Sequence, residues 1–243
     1  MTVTNNEIKS IKALASKKGR DEAGLFVVEG EKMVAEALAS GFHVEKVYRR
    51  SEVGDAVMDR LSSLSSPSPV LAVVRQKEQP APSRIENGLY LMLDTIRDPG
   101  NLGTIIRIAD WFGIKAVIAT PDTVEMYNPK VVQSTMGAIF RVPVIYTDVI
   151  AFAESVVSAG GNVYGTFLDG ENMYSKTLAS SNAAPCAIVI GNESNGISDE
   201  MAQHVTDRLF IPPFPHDAQT SDSLNAAVAT AITVAEFRRQ ESK

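Results

Sequence analysis

Three short segments carry residue types that could do chemistry. In LDTIRDPGNLGTIIRIADWFGI (93–114) a strand ends at Asp94, a Pro-Gly turn follows, and a helix begins near Asn101. Leu102, Ile105, Ile106 and Ala109 recur at helical spacing on one buried face, and Arg107 lies off that face. Asn101 suits a helix N-cap and Arg107 a surface cation. A glycine-bearing turn from strand to helix is also where open α/β sheets bind ligands. In AIVIGNESNGIS (187–198) a buried strand runs into two glycines that flank polar residues, so main-chain groups could approach a ligand closely. A tight turn with Glu193 as a surface carboxylate is the alternative. The pattern is not GxGxxG, so a dinucleotide site of that kind is not indicated. In LFIPPFPHDAQTSDSLNAAVATAITVAEFRRQ (209–240) a strand meets a Pro-rich loop and then a long helix capped near Asp222 or Ser223. Leu224, Ala227, Val228, Ala231, Ile232 and Ala235 form its expected buried stripe. Ala226, Ala229, Thr230 and Thr233 make most of the rest small, so the helix is expected to be buried on most sides, in the monomer core or in a dimer.

These segments need strands and helices to hold them. FVVEG (26–30), VEKVY (44–48) and LAVV (71–74) read as strands, with helices over EKMVAEALAS (31–40) and near 54–63, a small α/β layer domain. The polar stretch 75–88, with Pro80 and Pro82, reads as a linker. LYLML (89–93), KAVIA (115–119), VPVIY (142–146), NVYGTF (162–167), AIVI (187–190) and RLFI (208–211) follow as strands. Their continuous apolar runs predict a parallel sheet covered on both faces. The division is residues 1–78, a linker at 79–88, and 89–243.

Charge is unevenly divided over the 243 residues, whose formal net charge is −6. Residues 1–87 carry 13 Lys+Arg against 12 Asp+Glu, and residues 88–243 carry 10 against 17. The acidity belongs to the second part. Lys9, Lys12, Lys17, Lys18 and Arg20 open the first, either as a solvated helix face or as a phosphate-facing patch. No apolar run approaches the length of a membrane span, and the N-terminus has no apolar signal region, so a cytoplasmic protein is expected. The lone Cys186 excludes an intramolecular disulfide and is expected in the core. His43, His204 and His216 show no ligand spacing, so no metal is expected. Trp111, at the end of its helix, is expected to pack.

Together the segments resemble motifs 1, 2 and 3 of the SpoU (TrmH-type) RNA methyltransferases of the SPOUT superfamily. Asn101 and Arg107 stand in the N-x₅-R relation, Gly191-Asn192-Glu193 matches G-x-E, and Ser223-Leu224-Asn225 matches SLN. Residues 8–38 and the closing VLAVV (70–74) resemble the family's ribosomal-protein-like substrate-binding domain. The resemblance implies a C-terminal α/β domain with a parallel sheet and a trefoil knot, a homodimer, and S-adenosylmethionine bound largely by backbone groups of Gly191, Ile211 and Leu224. It implies methylation of a ribose 2′-hydroxyl in structured RNA, ribosomal RNA rather than tRNA, with Lys9, Lys12, Lys17, Lys18 and Arg20 on the RNA. Arg107, Asn101, Glu193, Ser223 and Asn225 are carried over as catalytic. Two departures stand out. The loop PPFPHDAQTSD is longer and richer in proline than usual, and Ala226-Ala227 follows the SLN where a Val is common.

The family proposal has Arg107 activate the hydroxyl. A guanidinium stays protonated at working pH and is a poor base, so stabilising the developing alkoxide and orienting a phosphate suits it better. A non-catalytic RNA-binding protein of this fold would be expected to lose these motif residues, and all are present. A nucleotide-dependent enzyme of another class would need a phosphate-binding loop or a metal-ligating acid pair, and neither is found.

Overall fold

The computed structural model describes residues 2–215 and 223–242. In chain order the elements are α1 (Asn5–Ala13), α2 (Lys17–Ala23), β1 (Leu25–Glu29), α3 (Glu31–Ala39), β2 (Val44–Arg49), α4 (Arg50–Val53), α5 (Asp55–Leu61), β3 (Val70–Arg75), β4 (Gly88–Leu93) and α6 (Pro99–Trp111). There follow β5 (Val117–Ala119), α7 (Pro129–Thr135), β6 (Val144–Tyr146), α8 (Val149–Ser158), β7 (Asn162–Asn172), β8 (Pro185–Ile190), α9 (Asp199–Ala202), β9 (Asp207–Phe210) and α10 (Ala226–Glu241). They gather into two compact units, one of residues up to 78 together with 125–141, the other of 79–124 together with 142 onward.

The second unit is built on a six-stranded sheet in the order β6-β5-β4-β8-β7-β9, with every neighbouring pair parallel. Its central strands explain the continuous apolar runs. All of β8 is buried, and all of β4 except Gly88, as expected for strands covered on both faces. On one face Tyr90, Met92, Ala187 and Val189 pack with Phe152, Ala153 and Val156 of α8. Leu91, Leu93, Ile188 and Ile190 alternate to the other face and are also buried. No helix among the described residues is long and apolar enough to cross a membrane.

Two helix starts differ from expectation. Helix α6 begins at Pro99, and its cap is Asp98 rather than Asn101, because proline fits the first helical position. Helix α10 is capped by Asn225 rather than by Asp222 or Ser223; Asp222 lies outside the described residues. Its buried face differs too. Ala226, Ala227, Thr230, Thr233, Val234 and Phe237 face inward, whereas Leu224 and Val228 are each 47% exposed. Both stripes have helical spacing. Phe237 packs edge-on against Tyr164 at 4.9 Å, and the Thr230 and Thr233 hydroxyls donate to the carbonyls of Ala226 and Ala229 at 2.7 and 2.9 Å. A threonine satisfied in this way can be buried, so the largest side chain sets the inward face. Trp111 is 84% exposed, so it does not pack in the core as expected.

The first unit holds an antiparallel sheet in the order β1-β3-β2. Ile8, Ile11 and Leu14 on α1 and its C-cap, with Met58 and Leu61 on α5, pack with Tyr48, Leu71 and Val73. Phe26 alternates to the opposite face, where its ring meets Phe42, Tyr127 and Phe140. Tyr127 and Phe140 come from the distant segment 125–141. The same segment supplies Glu125, which receives Arg20 Nε and Nη2 at 2.9 and 2.8 Å. Arg20 Nη1 also donates to the carbonyls of Leu14 and Ala15, and Arg20 is only 2% exposed. Arg20 therefore does not belong to an RNA-facing surface, because its guanidinium is consumed inside the unit. Removing one partner of such a buried pair strands the other. Arg20→Met should lower unfolding free energy by about 3–5 kcal/mol in urea titration, and a loss below about 1 kcal/mol would show the pair to be dispensable.

Candidate active site

Strands β4 and β8 lie in parallel register, with Leu93 beside Ile190. The segments that follow them leave the sheet side by side at its carboxyl edge, where open α/β sheets bind ligands. Strand β9 runs the same way and delivers Ile211 to that edge.

The first segment presents Asn101. Asp98 Oδ1 accepts from the Asn101 backbone N–H at 2.8 Å, which leaves the Asn101 side chain free for other partners. Asn101 Nδ2 donates to Glu193 Oε1 at 2.7 Å, and Asn101 Oδ1 accepts from Asn225 Nδ2 at 2.8 Å. The amide orientation follows from chemistry. An ionised carboxylate only accepts, so the Asn101 NH₂ must face Glu193, and its oxygen is left for the Asn225 donor. Asn101 itself is 8% exposed. Asn225 has a second task, since its Oδ1 accepts from the backbone N–H groups of Ala227 and Val228 and so caps α10. One chain of side chains thus joins the three segments that the sequence singled out.

Glu193 rides on a tight turn. Asn192 and Gly196 exchange backbone hydrogen bonds of 2.8 and 2.9 Å. Gly196 has φ +69°, and a Cβ at Gly191 would come within 2.2 Å of the Gly196 carbonyl carbon and the Ile197 nitrogen. The approach of these backbones requires glycine at 191. The main-chain groups of Gly191, Ile211 and Leu224 find no hydrogen-bond partner among the described residues. Main-chain donors and acceptors are thereby left unpaired at the ends of two strands and beside a helix cap.

Arg107 follows Asn101 by six residues, about 9 Å along the helix axis. It is exposed, and its side chain makes no ion pair or hydrogen bond with a described residue. Its charge is therefore available to an anion. Ser223 is exposed next to Leu224. His216 lies outside the described residues. His43 and His204 each stand beside one glutamate, and no group of three metal-ligating side chains occurs among the described residues. Cys186 is buried, and burial pushes its thiol up to about 11.

Of the basic residues near the N-terminus, Lys9 and Lys12 are exposed on α1 without a partner among the described residues. Lys17 and Lys18 are exposed on α2 in i,i+4 pairs with Asp21 and Glu22. Such surface pairs are weak enough for a phosphate to displace.

Several residues of the site were not legible as such. Asp94, 6% exposed, accepts from the Ser198 backbone N–H at 2.7 Å. Thr95 has φ +62°, its N–H donates to Thr120 Oγ1, and its carbonyl accepts from Asn192 Nδ2 at 2.7 Å. Beside it, hydrogen bonding from Thr120 above all holds Asp122 below the usual carboxylate range, with Thr95 and Arg97 adding to the effect. No sequence signal marks Thr95. The adjacent Asn195-Gly196 pair is a recognisable turn signature.

Residues 88–235 match the SpoU rRNA Methylase family, and residues 5–56 match the MRM3-like substrate binding domain. The chain is 28% identical over 249 residues to the 23S rRNA (guanosine(2553)-2'-O)-methyltransferase RlmP of Bacillus subtilis, which covers 96% of each chain. Among solved structures it is similar to the AdoMet-bound rRNA methyltransferase from Sinorhizobium meliloti, with TM-score 0.86, 32% identity, and coverage of 98% of this chain and 96% of that one. It is also similar to the SpoU methyltransferase AviRb from Streptomyces viridochromogenes in complex with AdoMet, with TM-score 0.83, 25% identity and 99% of each chain covered. The matched stretch runs from β4 into α10 and takes in the whole Glu193–Asn101–Asn225 chain, and on this ground the protein belongs to the SpoU rRNA methylase family.

Proposed function

We propose that this protein methylates a ribose 2′-hydroxyl of ribosomal RNA in the cytoplasm, using S-adenosylmethionine. The observation that carries the reading is the hydrogen-bonded chain from Glu193 through Asn101 to Asn225, beside free main-chain groups at Gly191, Ile211 and Leu224. S-adenosylmethionine, when bound, supplies a methyl group on a sulfonium. Gly191, Ile211 and Leu224 would hold it through backbone atoms. A guanidinium is a poor base, so Arg107 acts through its charge and its planar fork: it stabilises negative charge as it develops on the ribose oxygen and holds an adjacent phosphate by two parallel N–H donors. The hydroxyl proton then leaves to phosphate or to water. Asn101, Glu193, Ser223 and Asn225 keep the loops and the ribose in register, and alignment of this kind is worth several kcal/mol of barrier. The names of the relatives favour ribosomal RNA over tRNA.

RNA capture falls to Lys9, Lys12, Lys17 and Lys18, with Arg20 withdrawn into the unit. The outward apolar patch at the start of α10, with Val228 on the helix and Leu224 just before it, suits a second copy of the chain, which would double the basic surface. Sedimentation at twice the mass of one chain is expected. Changing Lys9 and Lys12 to Gln should flatten the salt dependence of RNA binding by about 0.7–0.9 for each phosphate no longer neutralised. A monomer, or an unchanged slope, would remove the corresponding part of this picture.

The function is tested by mapping 2′-O-methyl sites in total RNA from a deletion strain, its parent, and a strain complemented with the Arg107→Lys variant. One ribosomal site should be lost, and purified Arg107→Lys should transfer methyl groups on the order of 10²–10³-fold more slowly. Loss of a tRNA site would move the substrate to tRNA. An unchanged map, with no binding of S-adenosylmethionine or S-adenosylhomocysteine by calorimetry, would end the proposal, and near-normal turnover by Arg107→Lys would end the role given to the planar guanidinium.

A further inference from the structure

We propose that Asn192 is a positioning residue, whose side-chain amide ties the turn bearing Glu193 to the loop that leads into α6 and so fixes where Glu193 meets Asn101. The proposal rests on the methyl-transfer reading and adds a residue to which that reading gives no part. Asn192 uses both ends of its amide. Its Oδ1 accepts from the backbone N–H groups of Ser194 and Asn195 at 2.9 and 3.2 Å, which closes the turn around Glu193. Its Nδ2 reaches out of the turn and donates to the Thr95 carbonyl at 2.7 Å.

That carbonyl faces Asn192 in an uncommon backbone conformation. Thr95 is a β-branched residue at φ +62°, a strained region that such side chains rarely enter. It is held there from the other side, because its N–H donates to Thr120 Oγ1 at 3.0 Å. One residue earlier, Asp94 Oδ2 accepts from the Ser198 N–H at 2.7 Å. Asp94 and Thr95 therefore grip the Glu193 turn at both its ends, at Ser198 and at Asn192. From Thr95 the chain needs only six more residues to reach Asn101, the side chain that Glu193 accepts from. The ring thus closed runs Thr95, Asn192, Glu193, Asn101 and back along the backbone. A small displacement of the turn would move the Glu193 carboxylate out of reach of the Asn101 amide, and misplacement by about 1 Å can cost 10²-fold in rate.

Asn192→Asp separates the two ends of this amide. The carboxylate still accepts from Ser194 and Asn195, so the turn survives, but it cannot donate to Thr95. The variant and the wild type are compared on ribosomal RNA purified from the deletion strain, with S-adenosylhomocysteine affinity, thermal melting, and the side-chain NH₂ resonances of Asn101 in ¹⁵N spectra as further readouts. The expected result is a fall in kcat on the order of 10- to 100-fold, with KM for the RNA and Kd for S-adenosylhomocysteine within about twofold, and displaced, faster-exchanging Asn101 NH₂ signals. Unchanged kcat and unchanged Asn101 signals would overturn the proposal. Parallel loss of cofactor affinity and melting temperature would also overturn it, because the amide would then be holding the fold of the turn rather than the place of Glu193. Should the wild type transfer no methyl group to this RNA, the methyl-transfer reading falls, and the Asn101 signals alone decide whether Asn192 sets the position of Glu193.

Discussion

The arrangement depends on one amide placed between a carboxylate and a second amide. Asn101 can join Glu193 to Asn225 only because each of its ends finds the complementary partner, a charged acceptor on one side and a donor on the other. A hydrogen bond to an ionised group contributes about 1.5–3 kcal/mol, more than a neutral one, so the link to Glu193 dominates. The neighbouring residues serve that link. Asp98 takes over the capping of α6 and leaves the Asn101 side chain unspent. Gly191 and Gly196 let the backbone turn tightly enough to bring Glu193 round. Asn225 caps α10 with its oxygen while its nitrogen completes the chain, so the start of α10 cannot move without disturbing Asn101.

Charge is distributed in keeping with this division of labour. The excess of acidic residues lies after residue 87, in the part that carries the three loops. The earlier part is nearly neutral in sum but holds lysines on α1 that pair with no described residue. One basic residue is diverted from the surface altogether, since Arg20 joins Glu125 and two carbonyls in the interior of the first unit. Overall net charge therefore says little about nucleic acid here; the location and burial of each cation say more.

Much of the fold was legible because continuous apolar runs such as AIVI and LYLML can be satisfied only by burial on both faces, and each of the nine expected strands is present within a few residues. Asn101, Glu193 and Asn225 were legible as a set through the family resemblance, and geometry joins them. Three things were not legible. Segment 125–141 lies between β5 and β6 in sequence yet packs with the first unit, and local periodicity does not say which core a helix will join. The inward face of α10 went to Thr230, Thr233 and Phe237, because hydroxyls bonded to the preceding turn carry no penalty for burial and the large ring selects the face. The strained Thr95 carries no local signal, since only its hydrogen bonds with Thr120 and Asn192 hold it.

The central claim is that Asn101 and Asn225 act as one unit rather than as two residues with separate effects. A double-mutant cycle on the rate of methyl transfer to ribosomal RNA measures this directly, with Asn101→Ala and with Asn225→Asp, which keeps the oxygen that caps α10 and removes only the donor. The account predicts strong non-additivity, with the double variant no slower than the slower single variant and a coupling of about 1 kcal/mol or more. Losses that simply add would contradict it, since each side chain would then act without the other.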